Sequence, residues 1–252
     1  MQIPKSHPRY ISLMLREKII EGWHEGIVAD AGLLAHGRGE AFDYLIGECT
    51  NDFAEHAMKH AVHKMLHAKN PVISVNGNVC ALCASDIVRL AEQLNAKIEI
   101  NLFYRTEARV KKIARKLAEA GAKQIYGVEP DAKIPGIEHA RANCSRAGMY
   151  TADVVLVPLE DGDRVQALKN MGKFVIAIDL NPLSRTAVFA DITIVDNIVR
   201  AIPKMIEIVP LIKSRKLRAG KYNNETTLKK AKRRIWKTLC TVSPKKFPVN
   251  YK

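Results

Sequence analysis

Arg38 stands between two glycines in His36-Gly37-Arg38-Gly39-Glu40-Ala41-Phe42-Asp43. Flanking glycines let a backbone approach a ligand closely, and a guanidinium offers a two-pronged fork to phosphate or carboxylate. Arg16, Glu40 and Asp43 add polar groups nearby, so the segment reads as an anion clamp. A glycine-rich helix start with a surface arginine would have the same residues. Asn76-Gly77-Asn78 follows an apolar run and precedes another, where a strand-to-helix turn aims free N–H groups and a helix dipole at an anion. Glu160-Asp161-Gly162-Asp163-Arg164 gathers three acids and a base, suited to Mg²⁺ held through water, to ordering a substrate amine, or to a polar helix cap. In Asp179-Leu180-Asn181-Pro182-Leu183-Ser184-Arg185-Thr186 the aspartate can hold ribose hydroxyls, while Arg185 and the hydroxyls reach phosphate. Asp196-Asn197 then serves the adenine or ribose side.

Each of the last four motifs begins where a short apolar run stops. Strands are predicted at 71–75, 97–103, 124–128, 153–157, 174–179 and 192–195, with amphipathic helices between them, such as 106–121. That alternation implies right-handed crossovers and a mostly parallel sheet. The fold class is α/β, a Rossmann-like doubly wound sheet, in which ligands bind outside the carboxyl ends of the strands.

Residues 1–70 read as a helical N-terminal segment packed on the main domain, with helices at 8–22, 40–47 and about 50–69. Residues 71–212 form the nucleotide- and substrate-binding core, closed by a helix at 198–214. Residues 213–252 form a basic tail with a helix at 227–239. The net charge of +14 belongs almost entirely to that tail, which holds 14 Lys/Arg against one acid, Glu225. The preceding 212 residues hold 26 basic and 25 acidic residues. A tail of this kind attracts anionic substrates; with few aromatics interleaved, Tyr222 and Trp236 among them, and no RNA-binding module, nucleic acid is not the expected partner.

Five scattered cysteines suit a reducing compartment and no disulfide framework. Cys80 and Cys83, preceded by His56, His60, His63 and His67, have a zinc-like spacing, but no second CxxC follows. They read as small buried hydrophobes beside a solvated histidine face, with no metal site assigned. The start lacks a signal-peptide core, and no stretch approaches the roughly 18 apolar residues of a membrane span, so a cytoplasmic location is expected. GxxxxGK[ST], a GxGxxG after a strand and GxSxG are all missing, which disfavours a P-loop enzyme, a dehydrogenase or an α/β-hydrolase.

Together these motifs resemble the archaeal-type phosphopantothenate synthetase family, the 4-phosphopantoate–β-alanine ligases. The resemblance rests on Ile3-Pro4-Lys5-Ser6-His7-Pro8-Arg9-Tyr10, on residues 32–44 around Arg38, and on Val72-Ile73-Ser74-Val75-Asn76-Gly77-Asn78. It continues through Glu99-Ile100-Asn101-Leu102-Phe103-Tyr104-Arg105, Val157 to Arg164 and Ile178 to Thr186, spanning roughly residues 2 to 210. It implies ATP-dependent joining of 4-phosphopantoate and β-alanine through an acyl adenylate, releasing AMP and pyrophosphate, by a homodimer with Mg²⁺ as ATP's companion. It further implies that Arg16, Arg38, Asp179, Leu180, Asn181, Arg185, Thr186, Asp196 and Asn197 bind ATP. Asn76, Asn78, Asn101, Arg105 and Arg164 are candidates for substrate contacts, and Arg38, Asp161 and Asp163 for catalysis. No general base is singled out among Asp161, Asp163 and His36.

Overall fold

Alternate side chains of the predicted strands point into two separate apolar layers. Ile73, Val75, Val154, Leu156, Ile176 and Ile178 enter one layer, and Val72, Val155, Val157, Val175 and Ala177 enter the other. Strands buried on both faces carry continuous apolar runs, as parallel sheets covered by helices require. The structure, a computed structural model, describes residues 3–217 and 220–241.

The strands are β1 (Pro71–Val75), β2 (Lys97–Ile100), β3 (Ile125–Tyr126), β4 (Ala132–Lys133), β5 (Asn143–Cys144), β6 (Val154–Pro158), β7 (Phe174–Ile178) and β8 (Ile192–Ile194). Six make one sheet in the order β3-β2-β1-β6-β7-β8, every neighbouring pair parallel. The winding therefore reverses between β1 and β6, which opens a crevice at their carboxyl ends. β4 and β5 form a small antiparallel pair outside the sheet that the sequence did not announce. β2 stops at Ile100, three residues before the predicted end, because the Asn101 side chain turns to bond the main chain of residues 141 and 143.

The helices are α1 (Tyr10–His24), α2 (Asp30–Ile46), α3 (Asp52–Leu66), α4 (Gly77–Leu94), α5 (Glu107–Glu119), α6 (Gly162–Asn170), α7 (Arg185–Phe189), α8 (Ile198–Lys213) and α9 (Asn224–Thr241). α2 corrects the sequence reading: it begins ten residues before Glu40, so the glycines around Arg38 lie inside a helix and not in a loop before one. Interior glycine costs a helix about 1 kcal/mol. At Gly32 the reason is tertiary, since a Cβ there would collide with the Asn78 side chain, whose amide donates to the Gly32 carbonyl at 2.8 Å. Nothing in the structure requires glycine at 37.

The described part of the basic segment is also more than an appendage; positions 218–219 and 242–252 lie outside the described residues. α9 buries Thr227, Leu228 and Ala231, while Asn224 accepts from Thr193 N at 2.8 Å and donates to the carbonyls of Ala187 and Ala190. It thereby satisfies a main-chain donor on the edge strand β8. Arg234 donates to the Ile46 carbonyl at 3.1 Å, closing the C-terminal end of α2. Trp236, 69% exposed, takes no part in this docking.

Candidate active site

A cleft of about 630 Å³ lies outside the carboxyl ends of the strands, walled on one side by α2. At the reversal point the Asn76 side chain joins the two halves of the sheet. Its amide donates to the Leu159 carbonyl at 2.9 Å and its Oδ1 accepts from Val79 N at 3.1 Å, capping α4. Leu159 holds a left-handed backbone with φ 52°, unusual for a branched side chain. Strain of this kind is held where surrounding contacts fix it, often at functional sites. Asn76 and Asn78 both line the cleft, yet their amides are engaged in bonds between elements.

Arg38, Asp161, Asp179, Leu180, Asn181 and Asn197 also line it. Asp179 accepts from Asn181 N at 2.9 Å and from the Ser184 hydroxyl. Burial raises its pKa, against the pull of those donors and of the Arg38 charge. Arg38 is exposed and has no hydrogen bond or ion pair among the described residues. Asn197 donates to Asp43 at 2.8 Å, and Arg200 bridges Asp43 at 2.5 Å and Asp196 at 2.6 Å, tying α2 to the start of α8. His36 sits beside Arg38's helix turn, and burial lowers its pKa, which favours the neutral ring.

Other predicted residues lie elsewhere. Arg16 pairs with Glu40 at 2.7 Å in a neighbouring groove between α1 and α2, on the far side of Glu40 from the cleft. Arg164 is wholly buried, bonding Glu160 at 2.5 Å and Ser74 at 3.0 Å, so no substrate reaches it without a rearrangement. Asn101 and Arg105 bond main-chain carbonyls, Arg105 those of Gly127 and Val128, and neither lines the cleft. Asp163 and Arg185 pair at 2.6 Å on the surface, while the Thr186 hydroxyl donates to the Glu160 carbonyl. Asp196 is buried and accepts from Thr50 at 2.6 Å.

Sequence reasoning missed three arginines. Arg109 of α5 lines the cleft and donates to the Ile27 carbonyl at 2.9 Å. Arg200 follows Asp196 by four positions, a helical pairing that could have been read. Arg141, in a 3₁₀ turn over Ala140–Ala142, lines the cleft and pairs with Glu160 and Asp161, and no local pattern marked it. Cys80 and Cys83 are buried in α4, where burial raises both thiol pKa values, that of Cys80 to about 12. His60 is not on a solvated face; it is covered by Tyr222, with ring centroids 5.2 Å apart.

An all-parallel doubly wound sheet, with a crevice at its reversal point and an unpaired arginine near a strand-end aspartate, defines an α/β protein with a ligand-sized cleft at the carboxyl ends of its strands. The chain matches the phosphopantothenate/pantothenate synthetase family over residues 53–238. It is 58% identical over 234 residues to a 4-phosphopantoate–β-alanine ligase of Thermococcus kodakarensis, covering 90% of each chain. It is 63% identical over 209 residues to that of Thermococcus onnurineus, covering 82% of this chain and 80% of the relative. Against that of Methanosarcina mazei it is 50% identical over 246 residues, covering 96% and 97%. The chain belongs to the phosphopantothenate/pantothenate synthetase family.

Proposed function

We propose that the chain condenses 4-phosphopantoate with β-alanine to 4-phosphopantothenate in coenzyme A biosynthesis, converting ATP to AMP and pyrophosphate. The observation that carries this reading is the unpaired Arg38 beside Asp179 and Asn181, at the strand-end cleft of a chain so similar to ligases of that name. In the first step a carboxylate oxygen of phosphopantoate attacks the α-phosphorus and pyrophosphate leaves, giving an acyl adenylate. In the second the β-alanine nitrogen attacks the acyl carbon, AMP leaves, and the nitrogen loses its proton. Neither step needs a covalent nucleophile from the protein; positioning and fixed cations near the phosphates supply the stabilisation.

Arg38, Asp179, Leu180, Asn181 and Asn197 hold the nucleotide, with Arg38 on phosphate. Arg185, Thr186 and Asp196 support the loops beneath it, and Arg16 acts through Glu40. Asn76 and Asn78 shape the floor for the acid substrate, and Asn101, Arg105 and Arg164 fix the walls. The magnesium ion accompanies ATP. The residues offer it no dedicated cage: Glu160 and Asp163 are each paired with arginine, and no cluster of three metal-ligating side chains occurs among the described residues.

Exposed Ile11 and Leu34 on α1 and α2 offer apolar surface for the homodimer we propose, which light scattering would test. No described helix is long and apolar enough to cross a membrane, and a cytoplasmic location is part of the same proposal. The decisive experiment incubates the purified chain with ATP, 4-phosphopantoate and β-alanine and separates the nucleotides. AMP and pyrophosphate, formed in step with the amide, are expected; ADP and orthophosphate would replace the adenylate with an acyl phosphate.

A further inference from the structure

Arg141 is buried as few arginines are, with 6% of the residue exposed, and its place is built from several sides. Asn101 donates to its carbonyl at 3.1 Å, and its guanidinium lies 5.8 Å from the Phe103 ring centroid. On its inner side Glu160 is wedged between Arg141 and the wholly buried Arg164. On its outer side Nε lies 3.1 Å from Oδ2 of Asp161, without the alignment of a hydrogen bond, so that N–H donor is unused among the described residues. The Asp161 side chain is 53% exposed and lines the cleft. It precedes α6 without bonding the helix's N–H groups, so it can turn away from Arg141 without uncapping the helix.

We infer that the Arg141–Asp161 pair is the dock for the amino-acid substrate, the guanidinium receiving its carboxylate and Asp161 its ammonium. The inference rests on the ligase reading above. Within the cluster itself two arginines balance two carboxylates. A phosphate would add two negative charges beside Glu160 and Asp161. A zwitterion instead replaces one internal ion pair with two, and leaves no buried charge without a partner. Phosphate is better placed on the cleft arginines that have no carboxylate bound to them among the described residues, Arg38 and Arg109.

The test measures KM for each substrate in Asp161→Asn and Arg141→Lys, and compares β-alanine with propylamine, which has a methyl group in place of the carboxylate. Loss of one charge-assisted contact raises KM for β-alanine roughly tenfold or more, and leaves KM for ATP and 4-phosphopantoate within about twofold. Arg141→Lys also narrows the preference for β-alanine over propylamine by roughly tenfold, a change that general loosening of the site would not give. If Arg141→Lys does not fold, the surface substitution Asp161→Asn decides the matter alone. Equal shifts for all three substrates, or an unchanged β-alanine KM in Asp161→Asn, would overturn the dock. A wild-type chain that forms no amide at all would instead overturn the ligase reading on which it stands.

Discussion

Arg38 and Arg141 line the same cleft in opposite states. Arg38 projects from an exposed helix turn with no partner among the described residues, whereas Arg141 is buried with carboxylates on two sides. A free cation is available to a polyanion at once. A compensated one is available only to a ligand that brings the missing opposite charge as well. The energetic consequences differ too, because a buried ion pair is costly to break and an exposed arginine is not. Burial draws the pKa of Arg141 down to about 10, against the pull of Asp161, yet at neutral pH it keeps its proton.

The contrast is broken most severely from below. Arg164→Met removes the inner partner of Glu160, and a loss of about 3–5 kcal/mol in urea-unfolding free energy is expected, as for other buried pairs deprived of one member. A loss under about 1 kcal/mol would show that Arg141 alone holds Glu160. Next in size, Arg38→Ala lowers kcat/KM about ten- to a thousandfold, or roughly 1.5–4 kcal/mol, with the melting temperature unchanged because no internal bond is lost. Wild-type kinetics in that variant would remove Arg38 from the site.

Arg234→Ala tests whether the basic helix supports only the α2 side. It leaves the Ile46 carbonyl with the Asn51 amide as a remaining side-chain donor, so up to about 1 kcal/mol of stability should go and KM for ATP should rise, while KM for β-alanine stays put. The opposite selectivity would dissociate α9 from Arg38's helix. The smallest effect concerns Glu40. Burial alone would raise its pKa, but Arg16 and Arg9 hold it below the ordinary carboxylate value. A depressed folded-state pKa stabilises above the unfolded value and is lost as pH falls through the folded one. The melting-temperature gap between wild type and Glu40→Gln should thus be present at pH 6 and close toward pH 3. Since the pair is partly exposed, the gap corresponds to under about 1 kcal/mol.

The strands and the cleft edge were legible because each buried run ends in a polar motif, and continuous runs as short and as β-branched as Val72 to Val75 or Val154 to Val157 fit strands buried on both faces. α2 was misread because glycine is weighed as a local helix breaker, whereas at Gly32 the deciding contact comes from Asn78, 46 positions away. Arg164 and Asn101 read as ligand contacts in the sequence because polar residues at strand ends look alike there. Which of them turns inward depends on partners such as Ser74 and Asn143 that no local pattern names.

By itself the sequence determined the alternation of strand and helix, the edge on which polar groups gather and the family resemblance, since hydrophobic periodicity and motif order are written locally. Only the tertiary structure decided which cations remain free. Arg38 and Arg141 are the same residue type, and what separates them is whether folding brings a carboxylate within reach, a fact of packing between residues distant along the chain or hidden in an unpatterned loop.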